Sequence, residues 1–149
     1  MKKKGFTLIE LIVVLGILSI VTCTIYPYIN SYEDRKLAME MEQGVNGVIE
    51  FINGSKIYAR SNYSKEKLVR LIIESKRLTL YHGINKICSY PLPESLWIHI
   101  ENDSSITIYL DISGNTSLGR TINLYNSKGN HEAITIKVGT DYVSKKKQG

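Results

Sequence analysis

From Leu11 to Tyr32 the chain carries no charged residue for 22 positions, and Leu11 to Ile20 is almost wholly aliphatic. At about 1.5 Å of rise per residue, a helix of that length crosses a hydrocarbon core of roughly 30 Å. The segment therefore reads as a membrane helix near the N-terminus. Lys2, Lys3 and Lys4 precede it, and the positive-inside bias keeps them cytoplasmic, so the expected topology is single-pass, N-in and C-out. Glu10 stands at the mouth of this apolar run. A carboxylate in a membrane helix costs about 2–3 kcal/mol at the centre and less near an end, so an unpaired one points to a function.

The remaining composition bounds the rest. With 149 residues there is room for one modest domain beside the membrane segment. The formal charge of +5 is concentrated at the chain ends. Without Lys2, Lys3 and Lys4 the count is 16 basic against 14 acidic residues, and without Lys145, Lys146 and Lys147 as well it is 13 against 14. The body is near neutral, which argues against reading the whole chain as a nucleic-acid binder. Cys23 lies in the apolar run and Cys88 far into the polar part, so no intrachain disulfide is expected. Cys88 reads as a small, half-buried hydrophobe.

Three kinds of N-terminal signal share a charged head and an apolar run, and they differ in where they are cut. A secretory signal needs a small-x-small site after the run, and none precedes Glu33-Asp34. A lipoprotein signal would be cut before Cys23, but Thr22 stands where a smaller residue is expected. The third kind is cut ahead of the run, and Gly5-Phe6 marks that boundary. The stretch KKKGFTLIELIVVLGIL, Lys2 to Leu18, resembles the class III signal of the type IV pilin superfamily. The resemblance implies that residues 1–5 are a leader removed after Gly5 by prepilin peptidase. The new N-terminus, Phe6, would be methylated, leaving 144 residues. A protease groove that admits backbone closely explains the glycine.

Cleavage would also give Glu10 a partner. The amine freed at Phe6 is four residues away, on the same helical face, and the helix dipole adds to the attraction. The resemblance assigns filament assembly to the matching glutamate, which pairs with the Phe6 amine of the neighbouring subunit. Pro27 removes one helical hydrogen bond and should loosen the helix near Thr22 to Tyr26; pilin helices bend or melt at the matching proline. Gly16 suits close helix packing. The partners implied are prepilin peptidase, other pilin or pseudopilin subunits, an assembly platform membrane protein and, before assembly, membrane lipid. Residues 6–29 are then the transmembrane and filament-core helix, and residues 30–149 its amphipathic continuation plus a β-rich head.

The expected fold is α+β and pilin-like, a long N-terminal helix packed on a C-terminal antiparallel sheet. Ala38, Met41, Val45, Val48, Ile49 and Ile52 form one apolar stripe of a helix running to about Phe51 and ended by Asn53-Gly54-Ser55. A short helix is expected from a Ser64 cap, with Leu68, Val69, Leu71 and Ile72 inward. Leu78–His82 and Lys86–Tyr90 flank Gly83 as a hairpin. Alternation then predicts strands with Leu96, Ile98 and Ile100 inward, followed by Ile106, Ile108, Leu110 and Ile112. Two further strands, Gly119–Tyr125 and Glu132–Val138, point Ile122, Leu124, Ile134, Ile136 and Val138 inward across an Asn126–Asn130 turn. Period two implies a sheet with one wet face.

This tail, ITIYLDISGNTSLGRTINLYNSKGNHEAITIKVGTDYV, is similar to the C-terminal half of the minor pseudopilins that include GspH of type II secretion, FimT of type IV pili and the small competence pseudopilins of Gram-positive bacteria. It has Gly139-Thr140-Asp141-Tyr142 where those often have Gly-Arg, which weakens transfer of a DNA-binding loop.

Catalytic chemistry is hard to find. His82, His99 and His131 sit on separate strands or turns without metal-ligand spacing. Ser117 lacks the glycine two residues before it that a nucleophile elbow needs. The expectation is a non-enzyme with no catalytic residue, metal or cofactor. Lys145, Lys146 and Lys147, with Lys137, Arg120 and Lys128, can form a phosphate-contacting patch beside Tyr125 and Tyr142, in which case DNA is a partner. A frayed soluble tail is the competing account. The expected function is a minor pilin or pseudopilin, a structural subunit of a filament in a type IV pilus, type II secretion or competence system. The alternative is a monomeric membrane-anchored extracytoplasmic binding protein that does not polymerise.

Overall fold

The structure, a computed structural model, describes residues 7–62, 68–100, 104–138 and 143–145, with backbone alone for Pro27, Ile29, Asn30, Ser144 and Lys145. One helix, α1 (Leu8–Asn62), is followed by eight strands. The chain divides into two compact units, Met1–Lys36 and Leu37–Gly149.

In the first unit α1 has the length and composition to cross a membrane. Its described side chains are all exposed. Backbone remains helical through Pro27.

The second unit holds the rest of α1 and two four-stranded antiparallel sheets. The first comprises β1 (Val69–Glu74), β2 (Arg77–His82), β3 (Asn85–Pro91) and β5 (Ser105–Leu110) in the order β3-β2-β1-β5. The second comprises β4 (Leu96–His99), β6 (Arg120–Asn126), β7 (His131–Ile136) and β8 (Val143–Lys145) in the order β4-β6-β7-β8. The α+β, pilin-like arrangement of a long N-terminal helix on antiparallel strands is thus present, with two sheets in place of the single one expected. Met41, Val45, Val48 and Ile52 of α1 share one buried cluster with residues of both sheets, among them Leu71, Leu78, Leu96 and Ile134. Gly44 and Gly47 lie on this buried side. A Cβ on Gly44 would overlap the Leu96 side chain, and one on Gly47 the Tyr90 ring.

The Gly83 hairpin is present, with His82 paired to Asn85 and Gly83 at φ 62°, a conformation glycine adopts without strain. The Asn126–Asn130 turn is also present. Buried Asn126 organises it, its Oδ1 accepting from the backbone N–H of Lys128 at 3.1 Å and of Asn130 at 3.0 Å.

Four expectations are corrected. First, α1 does not end at Asn53-Gly54-Ser55 but continues to Asn62. Ser55 turns its hydroxyl back onto the Phe51 carbonyl at 2.7 Å. One turn on, Ala59 is buried against Val69, Leu80 and Leu110, so burial overrides the breaker signal. Second, Val69–Glu74 is a strand, with Val69, Leu71 and Ile73 buried and Leu68 exposed; Ser64 and its cap lie outside the described residues. Third, Ala38 is exposed, because the buried stripe starts at Met41. Fourth, Ile112 and Val138 are exposed, each lying past the end of its strand.

Candidate functional site at the start of the helix

Thr7-Leu8-Ile9-Glu10 opens α1, and its side chains close on one another. The Glu10 Oε2 atom accepts from the Thr7 backbone N–H and from the Thr7 hydroxyl, both at 2.8 Å. The Thr7 Oγ1 in turn accepts from the Glu10 backbone N–H at 3.4 Å. This is a capping box: a Thr N-cap and a Glu three residues on satisfy donors that a helix start leaves without partners. The spacing T-x-x-E carries that signal in the sequence. Reading Glu10 only as a charge in an apolar run missed Thr7 as its partner.

The arrangement changes the electrostatics of the acid. Two donors reach Oε2, which lowers the cost of keeping an ionised carboxylate where Ile9, Val13 and Val14 line an apolar depression beside it. Among the described residues nothing donates to Oε1, so the carboxylate can receive one more cationic donor without giving up its cap. Gly5 and Phe6 lie outside the described residues.

Farther along the apolar segment, hydroxyls bond back to carbonyls one turn earlier. Ser19 donates to Leu15 at 2.8 Å, Thr22 to Leu18 at 2.6 Å and Thr24 to Ile20 at 3.2 Å. These contacts hide polar groups from an apolar surrounding and offer the backbone a second hydrogen-bond partner just ahead of Pro27. Pro27 has no N–H for the Cys23 carbonyl, so the turn it closes is held less firmly than its neighbours.

The basic residues expected to act together do not all gather. Arg120 pairs with Ile136 across β6 and β7, which brings Lys137 to its end of the sheet. Lys128 sits in the turn at the opposite end, about 20 Å away at ~3.4 Å per strand residue. Tyr125 is at the Lys128 end, beside His131. Lys145 lies on β8 opposite Ile134, while Lys146, Lys147 and Tyr142 are outside the described residues.

Two of the three histidines reach one aromatic ring, that of Tyr125. The His131 ring stacks on Tyr125 at 5.2 Å between centroids, and His99 meets the same ring edge-on at 5.9 Å. Trp97 stacks on its other side at 6.2 Å. His82 is apart from them, with its Nδ1 3.4 Å from the Tyr58 hydroxyl. No group of three or more metal-ligating side chains occurs among the described residues. Cys23 and Cys88 are both exposed free thiols, so Cys88 is not the half-buried hydrophobe expected; lost hydration still pushes its thiol up, against a smaller opposite pull from Lys86.

Comparison with known proteins bears on the helix start alone. No curated protein and no solved structure matches the chain. The family model described as the prokaryotic N-terminal methylation motif matches residues 1–22, the stretch that holds Gly5-Phe6, Thr7 and Glu10, and it indicates a type IV pilin-like precursor of the kind that prepilin peptidase processes.

Proposed function

We propose that the chain is a minor pilin or pseudopilin, a structural and non-catalytic subunit of a type IV pilus-like filament. Prepilin peptidase removes residues 1–5, and Phe6 becomes the methylated N-terminus. Residues 6–29 hold the subunit in the cytoplasmic membrane, N-in and C-out, and later form the filament core with other pilin or pseudopilin subunits. Residues 30–149 continue the helix and carry the head outside the membrane. An assembly platform protein moves the subunit from lipid into the fibre.

The observation that supports this reading is a methylation motif whose Glu10 carboxylate is already ordered by Thr7 through Oε2, with no donor to Oε1 among the described residues. The ammonium created at Phe6, on the same subunit or on its neighbour, is the donor that fits. Pro27 and the hydroxyls before it allow the helix to loosen as neighbours pack.

Two measurements test it. Intact-mass analysis of the protein from its host should show loss of residues 1–5 and gain of one methyl group; retention of the lysine leader rejects the reading. Glu10→Ala should leave the protein in the membrane and remove it from sheared filament fractions. Normal incorporation of that variant would support the monomeric membrane-anchored binding protein instead.

A further inference from the structure

The outer face of the first sheet, the side away from the buried cluster, carries one row of side chains that crosses all four of its strands. The register sets Lys86 of β3 opposite Tyr81 of β2, Tyr81 opposite Arg70 of β1, and Arg70 opposite Tyr109 of β5. Directly opposed residues of antiparallel strands share a face. Their strand neighbours Val69, Leu71, Leu80, Ile108 and Leu110 are buried on the other one. With strands ~4.8 Å apart, the row is about 14 Å long and its two cations stand about 10 Å apart. Cation and ring alternate along it.

The needs of the fold do not account for this row. Arg70 Cζ lies 5.3 Å from the centroid of the Tyr81 ring, a contact that holds the guanidinium without using its N–H donors. Arg70 is half-buried, and its Nε is buried with no hydrogen-bond partner. A guanidinium donor placed so costs stability. Lys86 is exposed, as is Tyr109 at 45 %. Among the described residues no carboxylate pairs with Arg70 or Lys86. Glu74 lies farther along β1, opposite Ser105, and Asp111 turns its Oδ1 into its own loop, where it accepts from the Ser113 and Asn115 backbone N–H groups. The row is therefore cationic, and flat apolar rings break its charge at regular intervals.

Two features select the occupant. A cation on every second strand suits a polymer that is anionic at every second unit, and not one charged at each. A ring beside each cation suits a sugar, whose C–H face packs on an aromatic ring while its polar groups point sideways. We propose that the row Lys86–Tyr81–Arg70–Tyr109 binds an acidic polysaccharide with a uronic acid carboxylate on alternate sugars. Arg70 takes one carboxylate end-on through its two terminal nitrogens, and Lys86 takes the next. Tyr81 and Tyr109 carry the sugar rings. The surface lies in the head and does not depend on filament assembly, so failure of one reading leaves the other standing.

The test uses the full chain in maltoside micelles, isotopically labelled for amide NMR. The probe is a hyaluronan oligosaccharide, which alternates glucuronate with a neutral N-acetylated sugar. A chitin oligosaccharide serves as the neutral control, and a single-stranded oligonucleotide as the other polyanion. Saturable shifts at Arg70, Tyr81, Lys86 and Tyr109 are expected with hyaluronan, weakening as salt is raised. Affinity should fall at least tenfold in Arg70→Gln and at least threefold in Lys86→Gln, and stay unchanged in Lys128→Gln. Unchanged shifts elsewhere confirm that a variant is folded, and Lys86, exposed on β3, keeps the test open if Arg70→Gln does not fold. Equal binding of the chitin oligosaccharide would make the row a neutral stacking surface, and tighter binding of the oligonucleotide a nucleic-acid site. Either result overturns the proposal, as does no saturable response to hyaluronan or full binding by Lys86→Gln.

Discussion

Tyr90 occupies the space that Gly47 leaves on α1, and it stacks on Phe51 at 6.1 Å. A methyl group at position 47 would have to displace that ring. Gly47→Ala should therefore destabilise the head by about 1–3 kcal/mol in a denaturant titration. Gly47→Ala combined with Tyr90→Leu should cost less than the sum of the two single changes, because they share one contact. Tyr90 also gives the head a pH dependence. Burial first, and the charge of Glu50 second, push its phenol up. The fold favours the neutral phenol, so this contribution is complete below the ordinary tyrosine value of about 10 and is lost as pH rises through the higher folded value. Thermal midpoints of Tyr90→Phe should fall less than those of the parent between about pH 9 and pH 11. At this scale Glu10 draws attention in the sequence because a carboxylate conflicts with an apolar run, yet its Thr7 cap went unread. The sequence was opaque where the reason is a void, since nothing near Gly47 in the chain announces that Tyr90 will arrive from 43 positions later.

Among the elements, β1 shows how pattern and propensity compete. Leu68, Val69, Leu71 and Ile72 satisfy a helical spacing, yet Val69, Leu71 and Ile73 satisfy an alternating one equally well. A helix would place Leu68 and Ile72 together on its buried face. In the fold Leu68 is exposed, and β1 is the inner strand that joins β2 to β5, paired with both along its length. β-branched residues suit that place, and two flanking strands supply the partners that local spacing cannot reveal. Ile73→Ala should therefore cost about 2–5 kcal/mol of head stability, and Ile72→Ala, on the half-buried outer face, under about 1.5 kcal/mol. Equal costs in denaturant titrations would contradict the strand. The strands β4 to β7 were easier to read, because their buried residues alternate, and the Gly83 and Asn126–Asn130 turns carry their own chemistry, with Gly129 at φ 82°. The helix end was misread for the opposite reason. Gly54 and Ser55 weaken a helix in isolation, but Ala59 is buried under Leu80 and Leu110, and that burial holds the extra turns in place.

On the scale of the molecule, the two units use opposite chemistry. Met1–Lys36 offers apolar side chains to its surroundings, whereas Leu37–Gly149 contains every residue of both buried clusters. A chain beginning at Leu37 should accordingly be soluble and unfold in one cooperative step. Trp97, stacked on Tyr125, reports that step by fluorescence. A broad, non-cooperative transition would mean that the membrane segment is needed for the head to fold. The sequence marks a change near this place, because the uncharged run and the alternating tail differ in period and composition, but its expected boundary after residue 29 is not the division after Lys36. The separation into two sheets was not legible, since it depends on which strands pair across long stretches of chain: β5 returns to β1, and β4 joins β6.

The late position of β8 has a consequence for how the protein is made. The stripe Met41 to Ile52 of α1 shares its buried cluster with Val143, 91 residues after Ile52. At ~5–20 residues per second, a ribosome takes roughly 5–18 s to supply that last partner. Throughout that interval an oily helix flank is on offer while its cover is still being translated, so the nascent chain needs a chaperone or the translocation channel itself as temporary company.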